Sequence, residues 1–306
     1  MNNTYDKTRF DIQIDVLKKY IEHGNSVEVV KIPNGVARIA TYAFSKCKNA
    51  KQIIVPDGVT SIDNNAFSNC SLNYVAIPDS VQSIGGSAFD GCSHLERISV
   101  PQSIDKIHAF TFCNCSSLSE VVLPNTIFAI EKYAFAKCYS LEHIILPESL
   151  IRIHAAAFRD SALESIVIPK NVTYIGNECF ANCSQLKSVV IADSVTDIGY
   201  YAFEGCVSLT SIAIPDSVTL IGSWVFNDCT SLKNITISSN NIDNIATLGL
   251  PKDVVIKCNP DSVTDKTAKA AGYKTIPIMT LLQKALLDTK DIIKNKNNNF
   301  DIGLER

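Results

Sequence analysis

The chain has 306 residues, and 28 Lys plus Arg against 31 Asp plus Glu leave a formal net charge of -3. That balance speaks against a nucleic-acid partner, whose binders carry a basic patch or stripe. Hydrophobic residues make up 46% and charged residues 19%, so much of the chain must be buried, yet no apolar run approaches the roughly 18 residues of a membrane span.

The opening Met1-Asn2-Asn3-Thr4-Tyr5-Asp6-Lys7 lacks the charged-then-apolar order of a secretion signal. By sequence alone this points to the cytoplasm, unless an export signal was removed before residue 1. Residues 1–26 are predicted to form an N-terminal cap, with Ile12, Ile14, Val16 and Leu17 as its apolar contact.

From residue 27 the sequence repeats. Pro33, Pro56, Pro78, Pro101, Pro124, Pro147, Pro169 and Pro215 fall at a period of 22 or 23 residues, with Ala192 filling the one gap. A phenylalanine column runs through Phe44, Phe67, Phe89, Phe112, Phe135, Phe158, Phe180, Phe203 and Phe226. Three residues after each come Cys47, Cys70, Cys92, Cys115, Cys138, Ser161, Cys183, Cys206 and Cys229. Each copy also carries a Leu-x-x-Ile-x-Ile segment, as in Leu141-Glu142-His143-Ile144-Ile145-Leu146. Its alternation and β-branched content predict a short strand, which the following proline ends. One rung cannot bury its own apolar residues, so stacked rungs are expected, about 4.8 Å apart, with their strands in one parallel sheet. The Ala-Phe-x-x-Cys segment predicts a helical turn or a short 3₁₀ piece, and Val-x-x-Ile predicts extended backbone.

The pattern Ile-Pro-x-x-Val-x-x-Ile-x-x-x-Ala-Phe-x-x-Cys resembles the BspA-like, Treponema-type leucine-rich repeat, and residues 27–237 follow it almost position by position. Phe10-Asp11-Ile12 with Val16-Leu17-Lys18-Lys19-Tyr20 resembles the hairpin that often precedes such arrays, and residues 259–274 resemble the helix-containing segment that often follows them. The resemblance implies a leucine-rich-repeat solenoid, mostly β, curved as a right-handed superhelix, with one parallel sheet face and short turns or 3₁₀ pieces on the other. It also implies protein binding or adhesion, to a host or matrix protein in extracellular members, and hence a cell-surface or secreted location.

The repeats are expected to occupy residues 27–258 as nine regular copies and a degenerate last one. After Ile237, Ile242 and Ile245 persist, but the Phe and Cys positions are lost. Val254-Val255-Ile256 predicts one more strand. A C-terminal cap over residues 259–278 is expected to hold a helix from about Ser262 and a last strand near Ile276. Residues 279–306, with Leu282, Leu286 and Ile293 at helical spacing, read as a helical or partly disordered tail.

Of the 11 cysteines, eight sit in the repeat column. Column neighbours fall within disulfide reach, but parallel side chains do not make the required dihedral near 90°, and one straight column cannot converge on zinc. Free inward thiols are therefore expected there, and Cys179, at an alanine position, is expected to be buried too. Cys113 and Cys258 lie off both columns and are the thiols expected to be exposed. His108, Glu131 and His154 share one position on consecutive rungs; they form a weak candidate for a divalent metal, set against a solvated surface ladder. No Ser-His-Asp arrangement or phosphate loop stands out, and no cofactor is implied. Gly85, Gly176, Gly199 and Gly222 are read as turn residues.

The outward positions of the strands carry the functional reading. The position before the last strand residue reads Val122, Ile145, Val167 and Val190 on consecutive rungs, an aliphatic strip of a kind monomers seldom leave bare. The neighbouring outward position includes Tyr74, Arg97, Glu120 and His143, then serines. An apolar seam beside a polar edge matches the anatomy of a protein interface; plain β-propensity and self-association are the alternatives. On the opposite flank, Tyr42, Phe110, Tyr133, Tyr201 and Trp224 share one position, and Phe128, Ile151, Tyr174 and Leu220 interrupt polar ones. These are read first as packing that stiffens the turns and second as hot spots. The predicted function is a non-catalytic protein-binding module using the sheet face, with an intracellular scaffold or self-assembling structural protein as the alternative.

Overall fold

The computed structural model describes residues 9–21 and 27–278. The expectations for residues 279–306 lie outside them. The chain winds into a parallel-strand β-solenoid of about 11 turns. Each regular rung runs from a face strand, past the proline, into a short flank strand, and back through a tight turn.

The face strands Val27–Lys31, Ala50–Ile54, Tyr74–Ala76, Arg97–Ser99 and Glu120–Val122 pair in parallel. Their register aligns Val30 with Ile53, Ile53 with Val75, and Ile98 with Val121. Ser165–Val167 and Ser188–Val190 form a separate pair, and Ser211–Ile214, Asn234–Ile237, Val255–Cys258 and Lys274–Pro277 continue to the C-terminal end. The Val-x-x-Ile segments, expected only to be extended, pair in parallel along the flank, in two sheets that part between Ser83–Ile84 and Lys106–Ile107. Their two-residue strands include Ser61–Ile62, Ser83–Ile84, Lys106–Ile107, Ala129–Ile130 and Arg152–Ile153.

The Ala-Phe-x-x-Cys segments are neither helical nor 3₁₀. In each of the nine rungs the residues two before and two after the Phe have positive φ, as at Asn65 (57°) and Asn69 (58°). Alternating right- and left-handed conformations turn every second N–H along the solenoid axis. Thus Asn65, Phe67 and Asn69 donate to the carbonyls of Gly86, Ala88 and Asp90 in the next rung at 3.0, 2.8 and 2.7 Å. A helical turn would direct those N–H groups back into its own segment. The left-handed non-glycine residues each cost roughly 1 kcal/mol, offset by a backbone hydrogen bond that would otherwise be lost.

The nine column phenylalanines are fully buried and stack nearly parallel, with centroids 5.1–5.9 Å apart. The N-terminal hairpin of strands Phe10–Gln13 and Val16–Tyr20 docks on the flank ladder beside Arg38–Ile39. Leu17 is buried there, and Tyr20 stacks on Phe44 at 5.1 Å, so the hairpin lengthens the aromatic column. Ile14, expected in the apolar contact, is instead fully exposed at the hairpin tip with a φ of 62°. At the other end the helix Val263–Ala270 covers the last rungs. Thr264 Oγ1 donates to the Ser239 carbonyl at 2.7 Å and accepts from Ile242 N at 3.1 Å, satisfying backbone where the repeat has degenerated.

No disulfide forms among the described residues, which include all 11 cysteines. The expected exposure of Cys113 and Cys258 is wrong: they are 6% and 1% exposed. Asn114 and Asp90 cover the Cys113 thiol, and the capping segment closes over Cys258, whose Sγ lies 3.8 Å from Asp265 Oδ1. The reading of Gly85, Gly176, Gly199 and Gly222 as turn residues also needs correction, since none has positive φ. They are required by close approach: a Cβ at Gly176 would lie 2.4 Å from the His154 carbonyl carbon and 2.6 Å from Ala155 N.

Candidate interaction surface

Strand pleating sends Ile98, Ile166 and Val189 inward and their sequence neighbours out. Val122, Ile145, Val167 and Val190 are accordingly 49, 86, 61 and 53% exposed. Register places Val167 directly beside Val190, and Val122 beside Ser99. At the polar edge Tyr74, Arg97 and Glu120 follow one another across three strands. The Arg97 guanidinium sits 5.2 Å from the centroid of the Tyr74 ring, a cation–π contact that holds both side chains over the sheet.

The strip is not a continuous sheet. Residues 143–146, which include the candidate residues His143 and Ile145, form no strand and make no backbone hydrogen bond to either neighbouring rung among the described residues. Pairing on that side stops at Glu164 N, which donates to the Glu142 carbonyl at 3.0 Å. The face is therefore split beneath the most exposed residue of the strip. Val121, Leu123 and Ile144, whose counterparts on most rungs are buried, become partly exposed. A groove of about 360 Å³ opens between the two rungs, lined by His143, Ile144, Ile145, Ile166, Val167 and Pro169. Sequence reasoning found the outward residues His143, Ile145 and Val167 but missed Ile144 and Ile166, which the repeat template turns inward, and Pro169, which it places at the strand end.

The family model of the BspA type leucine-rich repeat region matches the chain over residues 16–142, 105–191 and 151–248. The chain belongs to the BspA-type leucine-rich repeat family. Solved structures similar to it include a leucine-rich repeat protein from Eubacterium ventriosum, at 21% identity and a TM-score of 0.53, covering 86% of this chain and 78% of that one. A leucine-rich repeat protein from Bacteroides ovatus is 27% identical, with a TM-score of 0.48, covering 83% and 84% of the two chains. A leucine-rich cell surface protein from Faecalibacterium prausnitzii is 23% identical, with a TM-score of 0.41, covering 90% and 94%. The likeness to the Eubacterium protein is one of fold. No protein of curated function matches the chain.

Elsewhere on this BspA-type array, the His108, Glu131 and His154 column does not gather as a metal site. His108 Nδ1 lies 3.4 Å from Glu131 Oε2, but that oxygen already accepts a 2.9 Å hydrogen bond from Ala109 N. No group of three potential ligands converges anywhere among the described residues. Glu131 thus serves the turn backbone. On the flank, Phe110 and Tyr133 stack at 4.9 Å across rungs, while Tyr42 and Trp224 stand exposed. All four occupy left-handed turn positions. The outward flank residues Phe128, Ile151 and Leu220 are exposed as well. No helix among the described residues is long and apolar enough to cross a membrane.

Proposed function

We propose that this chain is a non-catalytic protein-binding module whose contact surface is the split sheet face, centred on Ile145 and bordered by Tyr74, Arg97, Glu120 and His143. The observation that carries the reading is four consecutive aliphatic side chains, about half or more exposed, over a groove that interrupts the sheet. Exposed apolar patches rimmed by polar residues mark interaction sites, and a fold reused for many partners leaves its surface to set the specificity. Membership of a repeat family supports a scaffold that presents this surface. The partner is a protein with an apolar protrusion that fills the groove; a host or matrix protein, met by a surface-exposed or secreted chain, is the setting the family resemblance implies.

The double variant Ile145→Asp, Val167→Asp tests this in a pull-down from the organism's surroundings. Both positions are outward, so the variant is expected to fold with an unchanged unfolding midpoint and to lose the proteins retained by the native chain. Equal retention by both overturns the proposal. Sedimentation of the two proteins separates the self-assembling alternative, in which the native chain oligomerises through this face and the variant is monomeric.

A further inference from the structure

On most rungs two residues link the cysteine column to the leucine that opens the face strand, as in Cys138-Tyr139-Ser140-Leu141 and Cys183-Ser184-Gln185-Leu186. Between them, Ser161-Ala162-Leu163 has one, as does Cys70-Ser71-Leu72. Beside this link lies a notch of about 210 Å³ in the rim, lined by Tyr139 from the preceding rung and by Ser184 and Gln185 from the following one, with Asp160, Ala162 and Asn182. Its polar atoms are held in place. Asn182 Nδ2 donates to Asp160 Oδ1 at 2.9 Å, Arg159 Nε lies 3.6 Å from Asp160 Oδ2, and Arg159 is itself tied to Glu178. Ser161 replaces the column thiol here, and its hydroxyl is already hydrogen-bonded to Cys183 Sγ at 3.3 Å. Tyr139 is 59% exposed, so its ring is open to contact.

We infer that this notch binds a single neutral sugar unit. A pyranose has an apolar C–H face and a hydroxylated edge. The notch supplies both complements: an exposed aromatic ring, and a carboxylate, two amides and a serine hydroxyl that together accept and donate. No lysine or arginine lines it, and the nearby Arg159 is already paired with Asp160 and Glu178, so the notch offers no free cation to an anionic ligand. The volume is below the roughly 300–1,000 Å³ of sites for drug-sized molecules, so one ring is accommodated and a long chain is not. The notch spans the two rungs of the groove and the one that follows, but shares none of the groove's lining residues. The inference therefore stands apart from protein binding at the face.

The test is an amide NMR titration of the full chain with the methyl glycosides of glucose, galactose, mannose and N-acetylglucosamine, each to tens of millimolar. At least one is expected to give saturable shifts confined to residues 139–140, 160–163 and 182–186. Tyr139→Ala should weaken that binding about three- to tenfold by removing the ring. Ala162→Gln, which fills the notch without touching the core, should abolish it. Absence of saturation with every glycoside, shifts undiminished in Tyr139→Ala, or binding of inorganic phosphate at the same amides would each overturn the inference.

Discussion

The thiols of Cys70, Cys92, Cys115 and Cys138 each reach back 2.8–3.3 Å to the carbonyl oxygen of the phenylalanine in the preceding rung. Cysteine suits this slot because it is small, apolar and still a weak donor. That the column is buried was legible from its strict spacing. Why it is cysteine and not alanine was not, because the acceptor belongs to another rung. The same holds for Gly176, whose lack of a side chain answers to the backbone of His154, 22 residues earlier in sequence. Burial pushes the Cys183 and Cys229 thiols up to about 12, whereas an unfolded thiol titrates near pH 8.5. The folded state holds these protons more tightly, so their stabilisation is complete below about pH 8.5 and drains away as pH rises toward about 12. Each such thiol costs about 1.4 kcal/mol per pH unit across that window. Urea midpoints should therefore be flat through neutral pH and fall steeply in alkali. A variant with Cys183→Ala and Cys229→Ala should show a shallower fall than the native chain, at some cost in stability at neutral pH.

Among the elements, the face strands were legible because alternation and β-branching are local signals. The turns were misread for the opposite reason: a segment that looks helical by composition is fixed by hydrogen bonds to the next rung. The capping helix Val263–Ala270 is announced in the sequence by Ser262, whose hydroxyl accepts from Asp265 N at 3.0 Å. Asp265 then does a second task. Lys269 first, then Thr275 and the Asp261 N–H, hold its carboxyl down at about 2. Its folded value lies below the unfolded one near 3.9, so its contribution is present above about pH 4 and lost as pH falls toward about 2. Asp265→Asn should loosen the cap at neutral pH, read as faster amide exchange over residues 255–277. The difference from the native chain should shrink as the pH is lowered through that window. A difference that stays constant down to pH 2 would mean that the carboxylate's charge is not what secures the cap. The split at residues 143–146 and the adjoining notch belong to this scale as well. The shortened Ser161-Ala162-Leu163 link is shared with Cys70-Ser71-Leu72 and does not by itself mark the notch, and the loss of pairing beside Ile145 leaves no mark in the repeat template.

Across the whole molecule the interruptions are staggered. Where the face ladder breaks beside residues 143–146, the flank strands Ala129–Ile130 and Arg152–Ile153 remain paired, and Phe135 N still donates to the Ala157 carbonyl at 2.8 Å. Where the flank ladder breaks between Ser83–Ile84 and Lys106–Ile107, Tyr74 pairs with Arg97 on the face, and Phe89 N reaches the Thr111 carbonyl at 2.9 Å. No single plane cuts all three ladders, so the face can open without severing the solenoid. A repeat array is also only as soluble as its ends. Deleting residues 1–21 would bare Phe44 and Ile39, and the truncated chain is expected to associate at concentrations where the full chain does not, as measured by light scattering. A truncated chain that stays monomeric and equally stable would show that the hairpin is dispensable as a cap.

The left-handed turns have one more consequence. Their inter-rung bonds all run one way, N–H toward the C-terminal end and C=O toward the N-terminal end, from Tyr20 N donating to the Ala43 carbonyl at 2.7 Å to Trp224 N donating to the Thr247 carbonyl at 2.7 Å. Peptide dipoles aligned head to tail sum along such a column as they do along a helix axis. The column is therefore electrically polar over its whole length, positive toward the C-terminal cap and negative toward the hairpin. Two such columns could continue each other end to end in one orientation only, since a head-to-head meeting would set carbonyl against carbonyl.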